Sequence, residues 1–494
     1  MFHFITDIFE KTVSQFPDRM AVADEHCALT FAHLKNRARQ AATLIGSHSP
    51  RVGVMAHRDA WTIPLFFAVA YSGKCYVPLD PDTPVEKLGK IVADAGITQI
   101  LSAHQTDEEK IRDSGAEPVW FDPNVRDGSE GACLPADHCA DLYVIYTSGS
   151  TGTPKGIVKS HRAMQSFVEA YIREFGFDET TVIGNQTPFC FDASAKDIYL
   201  MAACGACIQI LPTKLFSFPV KLVEYMNQRE VTFISWVPSA LTIVTALNTF
   251  SEIVPAHLKR VFFVGEVFPA KHLNKWLRAL PEAEFVNLYG SSEICGISCF
   301  CRISGEVDEG SALPIGTALG NGDVKLVGDE GTVDRPGVTG EIYVASEALA
   351  DGYFADQEKT TRSFLLADFG NGERRYYRTG DLARYDEAGR LVFVSRSDYQ
   401  IKHMGHRIEL GEIETAACAI TGVEKCCCLY DSRRSRIILF LQPQAGAVVD
   451  SARVRSALRE KLPDYMIPHR VRVMEALPLN TNGKIDRPTL QKTL

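Results

Sequence analysis

Two hydrophobic rhythms alternate along the chain. Residues 1–15 set acids among apolar side chains and read as a helix. Leu29 to Phe31 reads as a strand end. Leu34, Ala38, Ala41 and Ile45 then mark the apolar stripe of an amphipathic helix, with Thr30 as its cap. Val52 to Met55 follows as a short strand, and residues 61–71 as a largely buried helix that Gly73 ends before the next strand. The alternation continues through strands at 142–146, around Val182, and at 207–211, 231–236 and 261–264. Strands alternating with helices predict mostly parallel sheets with helices packed on their faces.

From about residue 320 the texture changes. Short strands at 323–327, 340–344 and 391–394 alternate with Gly and Asp turns, which predicts a compact β-rich region. The last hundred or so residues read strand, helix (411–419), strand (425–430), strand (437–442), helix (451–461), strand. At 494 residues the chain is too long for one core. The expected class is α/β. A large N-terminal domain, 1–397, has mostly parallel sheets flanked by helices and a β-rich part at about 320–397; a small α+β domain occupies 398–494.

Composition removes several function classes. With 46% hydrophobic and 23% charged residues the chain is an ordinary globular protein. A net charge of -9, with no Lys/Arg block, argues against nucleic-acid binding. The first residues lack a cationic start or a small-residue cleavage site, so no signal peptide is expected. The longest apolar run, 63–71, is too short to span a membrane. Fourteen cysteines without a secretion signal predict reduced thiols and a cytoplasmic location. Cys204-Gly-Ala-Cys207 and the group Cys295, Cys299 and Cys301 suggest metal knuckles. No second CxxC or paired histidines complete a site, so these thiols are expected to be small buried hydrophobes.

The chemistry begins at Tyr146-Thr-Ser-Gly-Ser-Thr-Gly-Thr-Pro-Lys-Gly156. Thr147, Ser148, Gly149, Ser150, Thr151 and Gly152 can turn backbone N–H groups and hydroxyls toward one polyphosphate, and Lys155 adds a cation. A buried strand running straight into the loop argues against a flexible linker. The Walker pattern is absent, since no G-x-x-x-x-G-K-[ST] opens a helix here.

This loop closely resembles the phosphate loop of the adenylate-forming superfamily: acyl-CoA synthetases, luciferases and the amino-acid-activating domains of peptide synthetases. The resemblance runs from about Leu29 to Arg487, through separated motifs in the family order. Asn287-Leu-Tyr-Gly-Ser-Ser-Glu293 is similar to N-x-Y-G-x-T-E, which implies that Tyr289 stacks on adenine and Glu293 holds Mg²⁺ between ATP phosphates, with Ser292 where the family has Thr. Tyr377-Arg-Thr-Gly-Asp381 matches Y-R-T-G-D and implies Asp381 on the ribose hydroxyls. Ser395-Arg-Ser-Asp398 resembles G-R-x-D, implying Arg396 near ribose or phosphate and Asp398 as the hinge of a mobile lid. Gln400-Ile-Lys-His-Met-Gly-His-Arg-Ile-Glu409 resembles Q-V-K-I-R-G-x-R-I-E, with His403-Met404 replacing Ile-Arg and Gly405 beside the thiol channel. Asn482-Gly-Lys-Ile-Asp-Arg487 implies Lys484 as the lysine brought to carboxylate and α-phosphate during adenylation.

Thr187-Pro-Phe-Cys-Phe-Asp-Ala-Ser194 is close to the F-D-x-S element of amino-acid-activating members, where the aspartate pairs with the substrate ammonium. Asp192 as a helix cap is the plainer reading. By motif the pocket also takes Ala193, Lys196, Ser235, Phe262, Val264, Leu288, Gly296 and Ile297. Phe262, Leu288 and Ile297 leave little room. Lys196 either pairs with an acidic substrate such as glutamate or fills space with its stem. Val264-Gly-Glu-Val-Phe-Pro269 resembles free-standing D-alanine and glycine ligases of cell-envelope modification. The implied activity is amino acid–carrier protein ligation, AMP-forming, on glycine or D-alanine, with ATP and Mg²⁺. A phosphopantetheinylated carrier acts in trans, since the chain stops ten residues after Lys484. A monomer is expected. Another amino acid, an acyl-CoA synthetase and a degenerate nucleotide-binding module are the alternatives.

Overall fold

The computed structural model describes residues 4–46, 49–124, 139–147, 154–309, 311–396, 400–444, 446–447, 449–478 and 485–494. The α/β class predicted from the pattern is the one observed. Two sheets and a β-rich extension form the large part. In the first sheet, strands Met20–Ala23, Cys207–Ile210, Val182–Asn185, Phe233–Trp236, Arg260–Val264 and Glu284–Tyr289 lie side by side in parallel. Beyond Glu284–Tyr289 the neighbours turn antiparallel: Cys299–Ile303, Pro314–Ala318, Leu391–Arg396, Glu373–Tyr385, Thr339–Ala345 and Asp323–Gly328. The β-rich texture read after residue 320 is therefore an extension of the first sheet.

The second sheet has Asp141–Thr147, Cys75–Leu79, Arg51–Met55, Gln99–Ser102 and Glu117–Trp120 in parallel. Lys155–Ser160 returns antiparallel on Asp141–Thr147. The helices of one apolar cluster tie the two sheets together. Thr62–Tyr71 buries all ten residues, and Asp192–Cys204 buries Asp192 and every residue from Ser194 to Ala202. A helix covered on every face belongs in a core between layers. Thr30 caps the helix Phe31–Ala42, its side chain accepting from the His33 N–H at 3.2 Å.

The C-terminal part begins with the hairpin Gln400–His403 and His406–Glu409. Helix Leu410–Cys418 follows, then the strands Val423–Asp431, Arg436–Pro443 and Arg470–Val473 with helix Ser451–Arg459, around a core of its own. Among the described residues no helix is long and apolar enough to cross a membrane. Cys75, Cys207, Cys295, Cys299 and Cys301 are buried as free thiols. No group of three or more ligating side chains among the described residues could hold a metal.

Candidate active site

Strand order places the phosphate end of the site. Thr147 closes Asp141–Thr147 and registers opposite Lys155, the first residue of the return strand. Residues 148–153 between them, carrying Ser148, Gly149, Ser150, Thr151 and Gly152, lie outside the described residues, as do Asp398 and Lys484. Lys155 is largely covered, with Nζ 5.6 Å from the Tyr353 ring centre and 3.6 Å from Glu409 Oε1. Burial and the neighbouring Arg407 bring its pKa down to about 8.

Glu293 follows strand Glu284–Tyr289 and is wholly buried. Tyr353 OH donates to Oε1 at 2.9 Å, and Arg407 Nη1 donates to Oε2 at 2.7 Å. Burial opposes its charge, but Arg407 and Lys155 outweigh that and hold the carboxyl well below the usual range. Gly290, just before it, cannot carry a side chain: a Cβ there would lie 2.0 Å from the Gly296 carbonyl oxygen.

The register of two antiparallel strands sets Asp381 opposite Arg396. Arg396 Nη1 donates to Asp381 Oδ1 at 2.5 Å, and Tyr289 OH donates to Oδ2 at 2.5 Å. Tyr289 is buried, and that burial with Asp381 beside it raises its phenol pKa far above normal.

Asp192 opens helix Asp192–Cys204 at its first position, and its side chain does not cap the helix. Instead Oδ1 accepts from Tyr143 OH at 2.7 Å, and Oδ2 lies 3.8 Å from Lys159 Nζ. Burial raises the Asp192 pKa, against the pull of Lys159 and Tyr143. Lys196 is buried one turn further on. Its Nζ donates to Ala193 O at 2.8 Å and Ser235 O at 3.4 Å, and pairs with Asp197 Oδ1 at 3.2 Å. Phe262 has no exposed surface; its ring centre is 4.7 Å from that of Phe175 and 5.0 Å from that of Phe233. Leu288 and Ile297 are buried in the same apolar cluster.

One cavity of about 180 Å³ connects these ends. Thr147, Ser292, Asp381, Arg396, Asp192, Ala193, Val264 and Gly296 line it, with Gly405 and Arg407 from the C-terminal hairpin. Lys155, Glu293, Tyr289, Lys196, Ser235, Phe262, Leu288 and Ile297, expected at the site, are not among its lining residues. Among the described residues the buried Thr147 and Ser291 hydroxyls there have no hydrogen-bond partner, which suits a ligand rich in acceptor oxygens such as a nucleotide phosphate. Glu293 is the carboxylate that would meet a magnesium ion held mostly by phosphate oxygens, and with Tyr353 and Arg407 on its two oxygens the metal would have to take the place of Arg407.

The hairpin that closes the cavity is latched at its turn. Gly405 N–H donates to Glu266 Oε1 at 2.9 Å, while Ser239 N–H donates to Oε2 at 3.0 Å. Gly405 has φ +83°, and a Cβ there would come 2.9 Å from Val237 Cγ1. The replaced pair separates: His403 is buried against Tyr430 OH at 3.2 Å, and Met404 is 57% exposed. His406 stacks on Tyr465 at 3.7 Å and meets Phe191 edge-on, and burial pushes its pKa down to about 4. Lys87 reaches across to Glu412 at 2.7 Å.

Sequence reasoning did not single out Lys159, Tyr143, Tyr353, Glu266, Arg407 or Glu409. Arg407 and Glu409 lie within a motif already recognised. For Lys159 the signal was parity, since it shares the buried face of its strand with Ile157.

The profile of the family described as AMP-binding enzyme matches residues 9–354, and that of the AMP-binding enzyme C-terminal domain matches 412–484. One of the proteins making up the mycosubtilin synthase of Bacillus subtilis is 32% identical over 98% of this chain, which spans only 19% of that protein's length. Zwittermicin A synthase ZmaJ of Bacillus cereus is 31% identical over 98% of this chain and 94% of its own. Holo-PA1221, a peptide-synthetase protein containing adenylation and PCP domains bound to a vinylsulfonamide inhibitor, superposes with a TM-score of 0.85. It has 25% identity over 99% of this chain and 84% of its own.

Proposed function

Because the chain belongs to the AMP-binding enzyme family, we propose that it adenylates a small amino acid and passes the aminoacyl group to a carrier-protein thiol. The observation that carries this reading is Asp192, a buried carboxylate on the cavity wall. An ammonium group meets its counter-ion there, and Phe262 in its aromatic cluster leaves the side chain little depth. Glycine stands slightly ahead of D-alanine. Lys196 favours neither glutamate nor another acidic substrate, because Asp197 and two carbonyls already engage its amine. The cell-envelope role rests on the resemblance of residues 264–269 to free-standing ligases.

In the first half-reaction a substrate carboxylate oxygen attacks the α-phosphorus of ATP, and the bond to pyrophosphate breaks. Two anions must approach, so the residues' task is to neutralise charge and align the groups. Lys155 and the hydroxyl of Thr147 would hold the phosphates, Asp381 the ribose, and Asp192 the amine. Magnesium, when bound, would shield phosphate charge at Glu293. Lys484 would serve the carboxylate and α-phosphate. In the second half-reaction the pantetheine sulfur attacks the acyl carbonyl, AMP leaves, and the thiol proton goes to solvent. Gly405 gives a narrow arm room to pass beside the hairpin.

The test is amino-acid-dependent pyrophosphate exchange across glycine, both alanines and glutamate, followed by loading of a phosphopantetheinylated carrier. Exchange driven by glycine or D-alanine supports the reading. Preference for glutamate, or robust aminoacyl-CoA formation without a carrier, would falsify it.

A further inference from the structure

Lys159 has no part in the activity proposed above, yet its side chain is wholly buried. It sits on strand Lys155–Ser160, registered directly opposite Tyr143 on Asp141–Thr147. These cross-strand neighbours address the two oxygens of one carboxylate: Tyr143 OH bonds Asp192 Oδ1, and Lys159 Nζ faces Oδ2 across 3.8 Å. Among the described residues neither that ammonium nor that oxygen makes a hydrogen bond of good geometry, so the pair meets charge to charge, with the Cys295 thiol as the ammonium's other neighbour. Lys159 lies behind Asp192 and off the cavity lining, so it does not touch a substrate there.

The other groups facing Asp192 supply no lasting cation. Tyr76 and Tyr143 from adjacent strands bring phenols, Cys295 brings a thiol, and Glu293 brings a second negative charge. Lys196, on the same helix as Asp192, is paired with Asp197. Arg407 belongs to the C-terminal hairpin and matches Glu293. Lys159 stays with Asp192 whatever the hairpin does, because two paired strands of the core hold it there. A buried carboxylate without a cation takes up a proton, and a neutral carboxyl no longer attracts an ammonium group.

We propose that Lys159 is a positioning residue for substrate recognition, a permanent counter-ion that keeps Asp192 charged and turned so that its open edge receives the amine. This rests on the proposed activation of an amino acid. It adds that selection of an amine-bearing acid over its des-amino counterpart depends on a lysine that meets neither.

The experiment compares wild type, Lys159→Met and Lys159→Arg in pyrophosphate exchange, using the preferred amino acid and the same acid without its amino group. Lys159→Met should raise the amino-acid KM about tenfold or more, and shrink the preference for the amine-bearing acid by a similar factor. The KM for ATP should stay within about twofold, and Lys159→Arg should restore most of the preference. Should Lys159→Met fail to fold, Lys159→Gln keeps a buried donor without charge and is read the same way. An unchanged preference, or equal losses on both acids, overturns the role while leaving amino-acid activation standing. A wild type that exchanges pyrophosphate only with acids lacking an amine removes the proposed function and this role together.

Discussion

At Asp192 confinement and charge pull in opposite directions. Burial and the nearby Glu293 push the carboxyl toward its protonated form, and Lys159, Tyr143, the more distant Lys196 and an arriving ammonium oppose them. Asp192→Ala removes the anion that both Lys159 and the substrate need. An unpaired buried charge costs about 3–5 kcal/mol, so kcat/KM in amino-acid-dependent exchange should fall roughly a thousandfold. A loss under about tenfold would move amine recognition elsewhere. Lys196 gives the opposite expectation. Lys196→Ala should keep the small substrate, because the amine is engaged by Asp197 and backbone rather than by the cavity. It should also lower the melting temperature, since Asp197 then loses its buried cation and keeps only Asn185 as a donor. A variant that melts like wild type but switches substrate would contradict this. Asp192 was legible in the sequence because it sits in a recognisable local string. Lys159 was not, because its meaning comes from a register pairing with Tyr143 sixteen residues earlier, and a single strand does not announce its partner.

The elements themselves were legible where one periodicity ran long enough. Helix 62–71 and the strands read at 52–55, 142–146, 207–211, 231–236 and 261–264 appear within a residue or two, whereas the helix read through Ile45 stops at Ala42 and the strands at 99–102, 117–120 and 284–289 were not read. Sheet membership was not legible. Leu391–Arg396 and Asp323–Gly328 read locally as a separate β-rich unit, yet hydrogen bonding joins them to the first sheet through Pro314–Ala318. The hairpin Gln400–Glu409 carries two predictions. Gly405→Ala puts a side chain at φ +83° and 2.9 Å from Val237. With about 1–2 kcal/mol of strain, thioester formation from supplied aminoacyl-adenylate should slow roughly tenfold, with adenylation little changed. Equal effects on both half-reactions would remove the hairpin from the thiol step. His406 makes the closed hairpin sensitive to acid. Its pKa is about 4 when packed between Phe191 and Tyr465, against an ordinary 6.5. The released state therefore binds more protons, so closure is intact above about pH 6.5 and weakens progressively down to about 4. Limited proteolysis across that range should show the hairpin opening in wild type, and His406→Phe should flatten the dependence while keeping the stack.

At the scale of the whole molecule, Arg407 and Glu409 lie two residues apart on one strand and face the core together. Arg407 meets Glu293, and Glu409 meets Lys155. Those two core residues are the ones proposed to hold a magnesium ion and the phosphates, so the hairpin presents a cation where a cation would sit and an anion where phosphate would sit. On the proposed roles the closed hairpin would compete with magnesium pyrophosphate as a tethered ligand, and a tether sets an effective concentration of order millimolar. Pyrophosphate far below that level would leave the hairpin closed, and pyrophosphate near it would pry the hairpin loose. Energy transfer between a dye on the core and one on the C-terminal part should report that displacement, and Arg407→Ala should lower the required pyrophosphate roughly tenfold. A displacement curve that Arg407→Ala leaves in place would mean that the two do not share a seat. If they do, leaving the site and sealing it are one event, and the forward direction of the reaction is written into the spacing of two side chains.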